Sequence, residues 1–450
     1  MLSERIQVAL KEATETRELV IGSGAIGQTA TVFQRGFGDV PAMVVADDNT
    51  LQAAGRSVHA NLVGGGVEVV EPFVFPGTPV LHPDFERVLE LEAAIRVRDM
   101  IPVAVGSGVI NDLTKLAAHR AGRAYLVVAT AASMDGYTAF AAAITHEGFK
   151  RSDDCPAPRA LVADLDVLAN APAKMTASGY GDLLAKVIAG ADWMLAEALG
   201  AEAFDHKAWW LVGPNLARWT GDPGLLRTGD RGALEGLIEG LVLSGLAMQA
   251  ARSSRPAAGA EHLFSHLWEM RGVNKDGESA SHGFKVGLGT LAAAGLYDLV
   301  LQQDPTSLDI EALCERWPSP AEVEQAVRRA HPDPEQAEAA TRLSLAKHLR
   351  RDQLAGRLSL IRERWPELRQ QLRAWLPRAE EVRAQLRAAG CPVDPEAIGL
   401  SRDALRESYL LARQIRTRYT VLDLAAETGW LEPCLEALFR SGGLWGPTRG

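Results

Sequence analysis

The sequence predicts a parallel α/β sheet in its first third and an all-helical part after it. Short apolar runs rich in Val and Ile alternate with helix-length segments, at 18–24, 41–47, 100–108, 124–130 and 159–165. Strands separated in this way favour parallel pairing. Residues 138–153 predict a hairpin before the last strand. After "NAPAKMTASGYGD" (170–182) the β-rich runs cease and helical spacing continues to the end. We therefore predict two domains, residues 1–170 and 171–450.

The composition is that of a globular protein with no excess of positive charge. The 450 residues are 47% apolar and 23% charged, with a net charge of −10. This excludes a whole-chain basic field for nucleic acid or an anionic membrane. The sequence contains no run of about 18 uncharged apolar residues, so we expect no membrane span. The N-terminus "MLSERIQVALKEATETRE" predicts a helix rather than a signal peptide.

The cysteines restrict the kind of metal site that the chain can form. Cys155, Cys314, Cys391 and Cys434 are far apart and form no CxxC pair. Neither a disulfide framework nor a thiolate zinc site is therefore expected. We expect a reducing, cytoplasmic location, in which any metal is held by His and carboxylate groups.

A glycine-containing turn after the third predicted strand is a candidate phosphate site. In "VAVGSGVINDLTK" (103–115), Gly106 and Gly108 allow close approach of a ligand to the backbone, and the helix that follows favours an anion. Asp112 lies in the first turn of that helix. Asp47, in "VVADDNT", ends a strand about 20 residues after "GSGAIG" (22–27), where a carboxylate suits an adenosine ribose. A plain βα turn explains the glycines equally well.

Polar residues also follow the fourth predicted strand. In "VVATAASMDGYTA" (127–139) they are Thr130, Ser133, Asp135 and Thr138. Ligands bind open α/β sheets beyond the carboxyl ends of the strands. For Asp135 the alternative is a helix or turn cap.

Two histidines in "GAEHLFSHLWEM" (259–270) lie four residues apart, so they share one face of a helix. Asp182, after two glycines, and His282, before "GFKVGLGT", would complete an O,N,N donor set together with His262. Such a set with open positions is typical of catalytic divalent-metal sites. Capping by Asp182 and packing of the histidines remain alternatives.

Five segments together resemble one family. "GSGVINDLTK", "TAASMDGYTA", "SGYGDLLAK", "EHLFSHLWEM" and "HGFKVGLGT" occur in the order and at about the intervals of the sn-glycerol-1-phosphate dehydrogenase family. The resemblance extends from about residue 18 to about residue 432. It implies a dehydroquinate synthase-like fold, with a Rossmann-like nucleotide-binding domain followed by an all-α metal-binding domain. The family belongs to the superfamily of iron-type alcohol dehydrogenase, glycerol dehydrogenase and dehydroquinate synthase.

The resemblance also implies an activity, which is reversible hydride transfer between NAD(P)H and dihydroxyacetone phosphate to give sn-glycerol 1-phosphate. It assigns Asp182, His262 and His282 to the metal, and places His266 at the substrate as a hydrogen-bonding or proton-relay group. Zinc or nickel suits these ligands, and iron is also compatible. The small-molecule substrate is the partner we expect, with no nucleic acid and no membrane span, in a homo-oligomer.

The remaining roles are implied in the same way. Asp135 would lie near the reacting carbons and Asp47 near the adenosine ribose. Lys285 is a candidate for the substrate phosphate, with a solvated helix lysine as the alternative. The cofactor pyrophosphate would lie at the glycine turn, and the residues that we expect along the cofactor are Gly106, Ser107, Gly108, Asp112, Thr130, Ser133 and Thr138.

Two departures from the superfamily pattern affect these expectations. Ser107 replaces the middle glycine of a frequent Gly-Gly-Gly turn, and its hydroxyl can donate to a phosphate. Asp47 and Asp48 of "ADDNT" would lie where the 2′-phosphate of NADPH binds. Their negative charge therefore favours NADH, although Asn49 and Thr50 can accommodate either cofactor.

Two related activities remain as alternatives. A dehydroquinate synthase-like cyclase usually has Glu after the glycine that follows the last metal histidine, whereas Phe284 and Lys285 occur here. The second is a glycerol dehydrogenase without phosphate specificity. The segments "TAASMDGYTA" and "EHLFSHLWEM" disfavour it, because they resemble the glycerol-1-phosphate dehydrogenase family. The Arg-rich residues 323–390 predict solvated helix faces with i,i+4 ion pairs and receive no role. The final "SGGLWGPTRG" predicts a loose tail.

Overall fold

The computed structural model describes residues 4–146 and 149–447. Two compact units are formed by segments that alternate along the chain. The sheet unit comprises Met1–Leu183, Lys207–Ala257 and Ala388–Cys391, and the helical unit comprises Leu184–His206, Ala258–Arg387 and Pro392–Gly450. The predicted domain division at residue 170 stays a prediction, although the last strand does end close to it, at Asp164.

The sheet unit contains a six-stranded parallel sheet of strand order β1-β8-β5-β4-β2-β3. The predicted strands and the antiparallel hairpin, β6–β7, are confirmed. The short β3 was missed, because three residues bounded by prolines carry no period-2 pattern. The strands are β1 (Glu18–Gly22), β2 (Ala42–Asp47), β3 (Phe73–Phe75), β4 (Ile101–Gly106), β5 (Leu126–Ala129), β6 (Ala142–His146), β7 (Phe149–Asp153) and β8 (Ala160–Asp164).

Helices separate the strands and then make up the rest of the chain. The first are α1 (Glu4–Glu12), α2 (Thr29–Phe37), α3 (Asp48–Thr50), α4 (Arg56–Gly64), α5 (Phe85–Ile95), α6 (Gly108–Arg120), α7 (Leu165–Ala169) and α8 (Ala173–Leu184). Next come α9 (Lys186–Ala198), α10 (His206–Trp210), α11 (Leu216–Thr220), α12 (Pro223–Arg227), α13 (Arg231–Ala251), α14 (Ala260–Met270) and α15 (His282–Val300).

The last helices are α16 (Ile310–Arg316), α17 (Pro320–Ala330), α18 (Pro334–Lys347), α19 (Arg351–Trp375), α20 (Ala379–Ala389), α21 (Arg402–Leu411), α22 (Val421–Glu427) and α23 (Leu431–Phe439). Short 3-10 segments lie at Ala25–Gln28, Gly213–Asn215, Pro305–Ser307, Pro395–Ile398 and Ala412–Gln414, with a π-helical turn at Leu51–Gly55.

The parallel strands are buried on both faces, which explains their nearly continuous apolar sequences. Every residue of β4, β5 and β8 is buried. Helices α2 and α4 cover one face, where Phe33 and Leu62 pack in the same apolar cluster as Val44, Val103 and Val128. This arrangement is typical of sheets whose crossover helices exclude water.

One helix of the sheet unit has the length and composition of a membrane span. Among the described residues, α13 alone meets these criteria, and 78% of its most apolar 18-residue window is buried inside the protein. A core helix of a globular protein has this property. Ser244 and Gln249 of this helix are buried, and Gln249 donates to the Thr138 carbonyl. Gly245 lies in close contact with Thr138 as well.

The Arg-rich segment forms amphipathic helices in the helical unit. Helix α19 buries one stripe, consisting of Leu354, Leu358, Ile361, Trp365, Leu368 and Leu372. The exposed face of α17 carries the expected i,i+4 ion pair, in which Arg328 Nε lies 2.8 Å from Glu324 Oε1. The prediction of a loose tail is wrong for residues before 448. Trp445 is only 3% exposed, and its Nε1 donates to the Tyr409 hydroxyl at 2.9 Å.

A buried group of charges links α22 to the Arg-rich segment. Asp423 Oδ1 lies 2.7 Å from Lys347 Nζ and 3.2 Å from Arg413 Nε. Glu427 accepts a hydrogen bond from the Tyr419 hydroxyl at 2.8 Å, and Arg357 Nη1 lies 3.9 Å from its carboxylate. Burial raises the pKa of Glu427 to about 7, with Arg357 opposing the shift. Part of the segment's positive charge is therefore used inside the protein.

We expect Glu427→Gln to alter the dependence of stability on pH. Because the pKa of Glu427 is raised above its unfolded value of about 4.3, its protonated form stabilises the folded state at low pH, and this contribution is lost as pH rises towards 7. The melting temperature of the variant should therefore rise relative to that of the wild type between pH 5 and pH 8. The corresponding change in the relative free energy of unfolding should be at most about 3 kcal/mol. The exposed Glu436→Gln is the control, and parallel pH profiles for wild type and Glu427→Gln would contradict this role.

Candidate active site

The predicted glycine turn joins β4 to α6. Strand β4 ends at Gly106, and Ser107 precedes α6 with an extended backbone and no hydrogen bond from its side chain to the helix. A Cβ atom at Gly106 would lie 2.4 Å from Ile110 Cβ, so this turn requires glycine. The Ser107 hydroxyl and the N-terminus of a 13-residue helix are therefore available to an anion, as the sequence predicts.

Asp112 and Lys115, on α6, tie the helix to the segment that follows β5. Asp112 Oδ2 accepts a hydrogen bond from the Ala143 amide at 3.2 Å. Lys115 is 1% exposed, and its Nζ donates to the carbonyl oxygens of Gly136, Ala139 and Ala141, each at 2.9 Å. Lys115 thus fixes the path of residues 136–141. The sequence does not predict this role of Lys115, because a lysine in a helix is usually solvated.

Asp47 caps a helix at the end of β2. Its Oδ1 accepts from the Thr50 amide at 2.7 Å, and the Thr50 hydroxyl accepts from the Asp47 amide at 3.0 Å. The capping interaction holds the carboxylate at the carboxyl end of the sheet. The predicted contact of Asp47 with a ribose stays a prediction.

The predicted polar residues after β5 lie in different surroundings. The Thr130 amide donates to the Gly106 carbonyl at 3.1 Å, which places Thr130 beside the glycine turn. Ser133 is 9% exposed, and its carbonyl accepts from Ser178. Thr138 is fully buried, and its hydroxyl donates to the Val242 carbonyl on α13 at 2.8 Å. Thr138 thus supports the segment through packing, and its contact with a cofactor stays a prediction.

Asp135 and Asp182 are linked directly in the sheet unit. The Asp135 amide donates to Asp182 Oδ2 at 2.9 Å, and Asp135 Oδ2 accepts from the Ser244 hydroxyl at 2.8 Å. Two glycines permit this packing. A Cβ at Gly179 would lie 2.0 Å from the Ala132 carbonyl oxygen, and one at Gly245 would lie 2.2 Å from Thr138 Oγ1. Gly179, the first glycine in "SGYGD", therefore allows α8 to approach the segment that contains Ala132 and Asp135.

Three imidazoles lie together in the helical unit. Helix α14 carries His262 and His266, whose ring centroids are 6.0 Å apart. His282 begins α15, and its ring centroid is 5.4 Å from that of His262 and 6.1 Å from that of His266. The i,i+4 spacing therefore places both histidines on one face of α14, as predicted, and this face meets α15.

Each of the two proposed metal histidines has a carboxylate behind its ring. Glu261 Oε1 lies 2.9 Å from His262 Nδ1, and Glu269 Oε1 lies 3.3 Å from His282 Nδ1. A carboxylate at Nδ1 holds the proton there, so Nε2 is left as the electron-pair donor. Burial raises the pKa of Glu261 to about 7, although its carboxylate accepts a hydrogen bond from the Gly259 amide.

Helices α14 and α15 approach closely at a glycine of "HGFKVGLGT". A Cβ at Gly289 would lie 2.4 Å from the Glu261 carbonyl oxygen and 3.1 and 3.2 Å from the carbonyl carbon and the α-carbon of that residue. Because the obstructing atoms are backbone, no rotamer change could relieve the contact. Gly289 therefore sets the distance between the helices that carry the imidazoles.

Asp182, in the sheet unit, and His262 and His282, in the helical unit, can each offer one ligand atom to a metal ion. Asp182 is fully buried, and His262 is 7% exposed. Two imidazole nitrogens and one carboxylate oxygen form a donor set that suits zinc and other divalent first-row metals. The residues present therefore fit a divalent metal ion.

His266 and Lys285 lie beside this group. Burial lowers the pKa of His266 well below its ordinary value, so the ring is neutral near pH 7. Lys285 is 4% exposed, and its Nζ donates to Ser279 Oγ at 2.8 Å and lies 3.8 Å from Glu269 Oε1. The alternative of a solvated lysine is wrong for Lys285, whereas its contact with a substrate phosphate stays a prediction.

Comparisons with known proteins agree with this fold. Residues 20–172 match the family model described as iron-containing alcohol dehydrogenase. A glycerol dehydrogenase structure from Schizosaccharomyces pombe superposes with a TM-score of 0.58 over 94% of this chain and 92% of that chain, at 16% identity. At this identity the likeness concerns the fold alone, which is that of the iron-containing alcohol dehydrogenases.

Sequence relatives define the family more narrowly. A glycerol-1-phosphate dehydrogenase [NAD(P)+] from Halalkalibacterium halodurans is 34% identical over 63% of this chain and 71% of its own length. One of the same name from Bacillus licheniformis is 27% identical over 92% of this chain and 90% of its own. The chain belongs to the glycerol-1-phosphate dehydrogenase family.

The residues that support the predicted site residues were not predicted from the sequence. Glu269 lies seven residues after His262 and three after His266, and this helical spacing could have identified it. Glu261 adjoins His262, but adjacent residues on a helix rarely face the same group. Ser244 carried no signal, because its contact with Asp135 joins residues 109 positions apart.

We expect Gly289→Ala to separate α14 from α15 and so to weaken metal binding by at least about 10-fold, as loss of a supporting interaction does. The overpacked contact should also cost about 1–3 kcal/mol of folding free energy. Zinc affinity, measured by competition with a chromogenic chelator, and thermal unfolding test both effects. Gly356→Ala on α19, where nothing lies within 4 Å of the added Cβ, is the matched control and should be neutral or slightly stabilising. Unchanged zinc affinity in Gly289→Ala would rule out this constraint.

Proposed function

We propose that the protein catalyses the reversible, NAD(P)H-dependent reduction of dihydroxyacetone phosphate to sn-glycerol 1-phosphate with the help of a divalent metal ion. One observation carries the proposal. In a chain whose relatives are named glycerol-1-phosphate dehydrogenase [NAD(P)+], Asp182, His262 and His282 would supply a carboxylate and two imidazoles to a single ion. Such an ion supplies Lewis-acid polarisation of a substrate oxygen. Zinc or nickel suits this donor set, and iron is also compatible.

The chain's own residues orient the metal-binding groups. Glu261 and Glu269 hold protons at Nδ1 of His262 and His282, so that Nε2 of each ring is the donor. The Asp135 amide holds one oxygen of Asp182, which limits rotation of that carboxylate. These bonds arrange the donors before any ligand arrives, which reduces the ordering cost of binding.

Two groups next to the donors are suited to substrate contact and proton transfer. His266 is neutral near pH 7, so one ring nitrogen accepts and the other donates a proton. In reduction it would relay a proton to the oxygen that becomes the new hydroxyl, with one ring nitrogen taking up a proton from water as the other gives one up, and in oxidation the relay would run in reverse. Asp135, held by Ser244, would accept a hydrogen bond from a substrate hydroxyl.

The sheet unit would hold the cofactor. Gly106, Ser107 and Gly108, at the start of α6, suit its pyrophosphate, and Thr130 is hydrogen-bonded to the same turn. Asp47 would contact the ribose, which favours NADH, and contacts of Asp112, Ser133 and Thr138 with the cofactor belong to the same proposal. We further propose a cytoplasmic homo-oligomer. The described cysteines are free thiols, in keeping with a reducing compartment.

We expect the purified protein, loaded with zinc or nickel, to oxidise NADH when dihydroxyacetone phosphate is added, with the product resolved as the sn-1 enantiomer. The same protein treated with a chelator should lose this activity and recover it when the metal is restored. Absorbance at 340 nm with NADH and with NADPH also measures the cofactor preference. Folded, metal-loaded protein that oxidised neither nucleotide would exclude the reductase and leave the cyclase reaction, which gives no net NADH change.

The two histidines of α14 should differ in the step that they affect. His262→Ala should weaken zinc binding by more than about 100-fold, beyond the range seen when a supporting group is removed. His266→Gln should bind zinc with nearly wild-type affinity but lower kcat by about 100-fold or more, as expected for loss of a proton-transfer group. His119→Ala, on the exposed end of α6, is the control. Equal loss of zinc affinity in both α14 variants would mean that His266 is also a ligand.

A further inference from the structure

The helical unit contains a cavity that the imidazole group does not line. Its volume is about 1220 Å³, which is ample for a small organic molecule. Helices α16, α17, α18, α19 and α22 contribute to its wall, and all of its lining residues belong to the helical unit. The described residues that line it do not include His262, His266, His282 or Lys285. A molecule bound there would therefore not occupy the proposed metal and substrate site.

The buried charges that line this cavity do not balance one another. Lys347 and Arg413 share one carboxylate, that of Asp423, whose Oδ1 lies 2.7 and 3.2 Å from their nitrogens. Arg357 faces Glu427 at 3.9 Å, a distance too long for a hydrogen bond. Three cations thus face two carboxylates. The group keeps a net positive charge even when both acids are ionised.

The other charged residues of the wall are exposed or bonded elsewhere. Arg316, Asp309 and Glu322 are exposed, and the two acids take part in the caps of α16 and α17. Glu202 accepts a hydrogen bond from the Tyr419 amide at 2.8 Å. Water screens exposed charges more strongly than buried ones. The buried excess of positive charge therefore determines which ligand charge the cavity favours.

Arg357 has a buried donor that no acceptor satisfies. Its side chain is 15% exposed, and its buried Nη1 has no hydrogen-bond acceptor among residues 4–146 and 149–447. The guanidinium lies over the ring of Tyr419, with Cζ 4.9 Å from the ring centroid, and this contact helps to hold it in place. A ligand oxygen that accepted from Nη1 would remove the cost of the unsatisfied donor. A guanidinium can also donate two parallel hydrogen bonds to one carboxylate.

An apolar part of the wall completes the cavity. It is formed by Leu308, Leu313 and Val327 together with the side chains of Trp317 and Trp430. Burial of an apolar ligand surface there would contribute about 25 cal/mol for each Å² removed from water. The wall thus suits a molecule that combines an anionic group with an apolar body.

We propose that this cavity is a binding site for a monocarboxylate with an apolar body, such as an aromatic acid, whose carboxylate Arg357 binds. With Asp423 and Glu427 ionised, one negative charge neutralises the group. A dianion such as a phosphate monoester would leave an excess of negative charge in buried surroundings. The site is independent of the proposed function, because it requires neither the metal ion nor the reaction.

Calorimetry with benzoate tests the site on the full-length, zinc-loaded protein. Benzoate affinity should fall about 10- to 100-fold in Arg357→Gln, the range for one charged hydrogen-bonding group. Arg357→Lys should lie between the two, because it keeps the charge but loses the paired donors. Arg342→Gln, at an exposed position of α18, is the control and should match the wild type. Thermal unfolding of each variant shows whether it is folded.

Two further probes test the class of ligand. Acetate lacks the apolar body and should bind at least about 10-fold more weakly than benzoate. Inorganic phosphate should bind more weakly than benzoate in the part of its binding that Arg357→Gln removes. A wild type that bound no benzoate, or an Arg357→Gln variant that bound it as tightly as the wild type, would overturn the site. Benzoate held at the metal ion would give this second result.

Glu427 is an acid of this cavity whose charge changes near neutral pH, because burial raises its pKa to about 7. Against the effect of burial, Lys347 and Arg413 lower the pKa of Asp423, whereas burial raises that of Tyr419. Burial lowers the pKa of His348, so its ring is neutral near pH 7. Burial also lowers the pKa of Lys347, with Asp423 opposing the shift. The groups that face Glu427 are Lys347, Arg357, Arg413, Tyr419 and Asp423.

The pH dependence of binding is a second test, which does not require Arg357→Gln to fold. A carboxylate bound beside Glu427 would raise its pKa further, so that binding takes up a proton. Benzoate affinity of the wild type should therefore fall by up to about 10-fold between pH 6 and pH 8. Glu427→Gln should show a smaller fall, because it is neutral at both pH values while Lys347 is unchanged. Equal pH dependence in the two proteins would contradict binding at this cavity.

Discussion

The imidazole group depends on how closely α15 approaches α14. Gly289 has no side chain, and its α-carbon therefore packs directly against the backbone of Glu261. The same Glu261 holds the ring of His262 through its carboxylate. One residue thus takes part in both the helix contact and the orientation of a proposed metal ligand. The rings of His262 and His282 are centred 5.4 Å apart. A change in the helix separation would alter this distance and, at the same time, the hydrogen bond between Glu261 and His262.

The buried carboxylates of the helical unit differ in how their charge is offset. Asp423 is buried, but two cations lie within 3.2 Å of it and lower its pKa against the effect of burial. Glu261 has the Gly259 amide and the His262 imidazole as partners, and burial raises its pKa to about 7. A positive charge brought to His262 would therefore be stabilised more by Glu261 than by a solvated carboxylate. The first arrangement stabilises the fold, and the second favours a cation at the imidazoles.

Local patterns in the sequence were enough to predict most of the fold. Runs of Val and Ile identify the buried strands, and the i,i+4 spacing identifies the shared face of His262 and His266. Contacts between distant segments could not be predicted in this way. Ser244 meets Asp135 across 109 residues, and Trp445 packs on Tyr409 although its own segment contains glycines and a proline. Lys115 was missed for a different reason, since propensity describes what a lysine usually does rather than which carbonyls surround it.

The buried lysines of the protein already have partners for their positive charges. Lys115 holds three carbonyls, Lys347 pairs with Asp423, and Lys285 is shared by Ser279 and Glu269, so each of these buried ammonium groups already has its acceptors. An anionic ligand that recruited one of them would leave buried acceptors without a donor, at a cost of about 1–3 kcal/mol for each. A cation for a ligand must therefore be spared from such bonds and yet held in place.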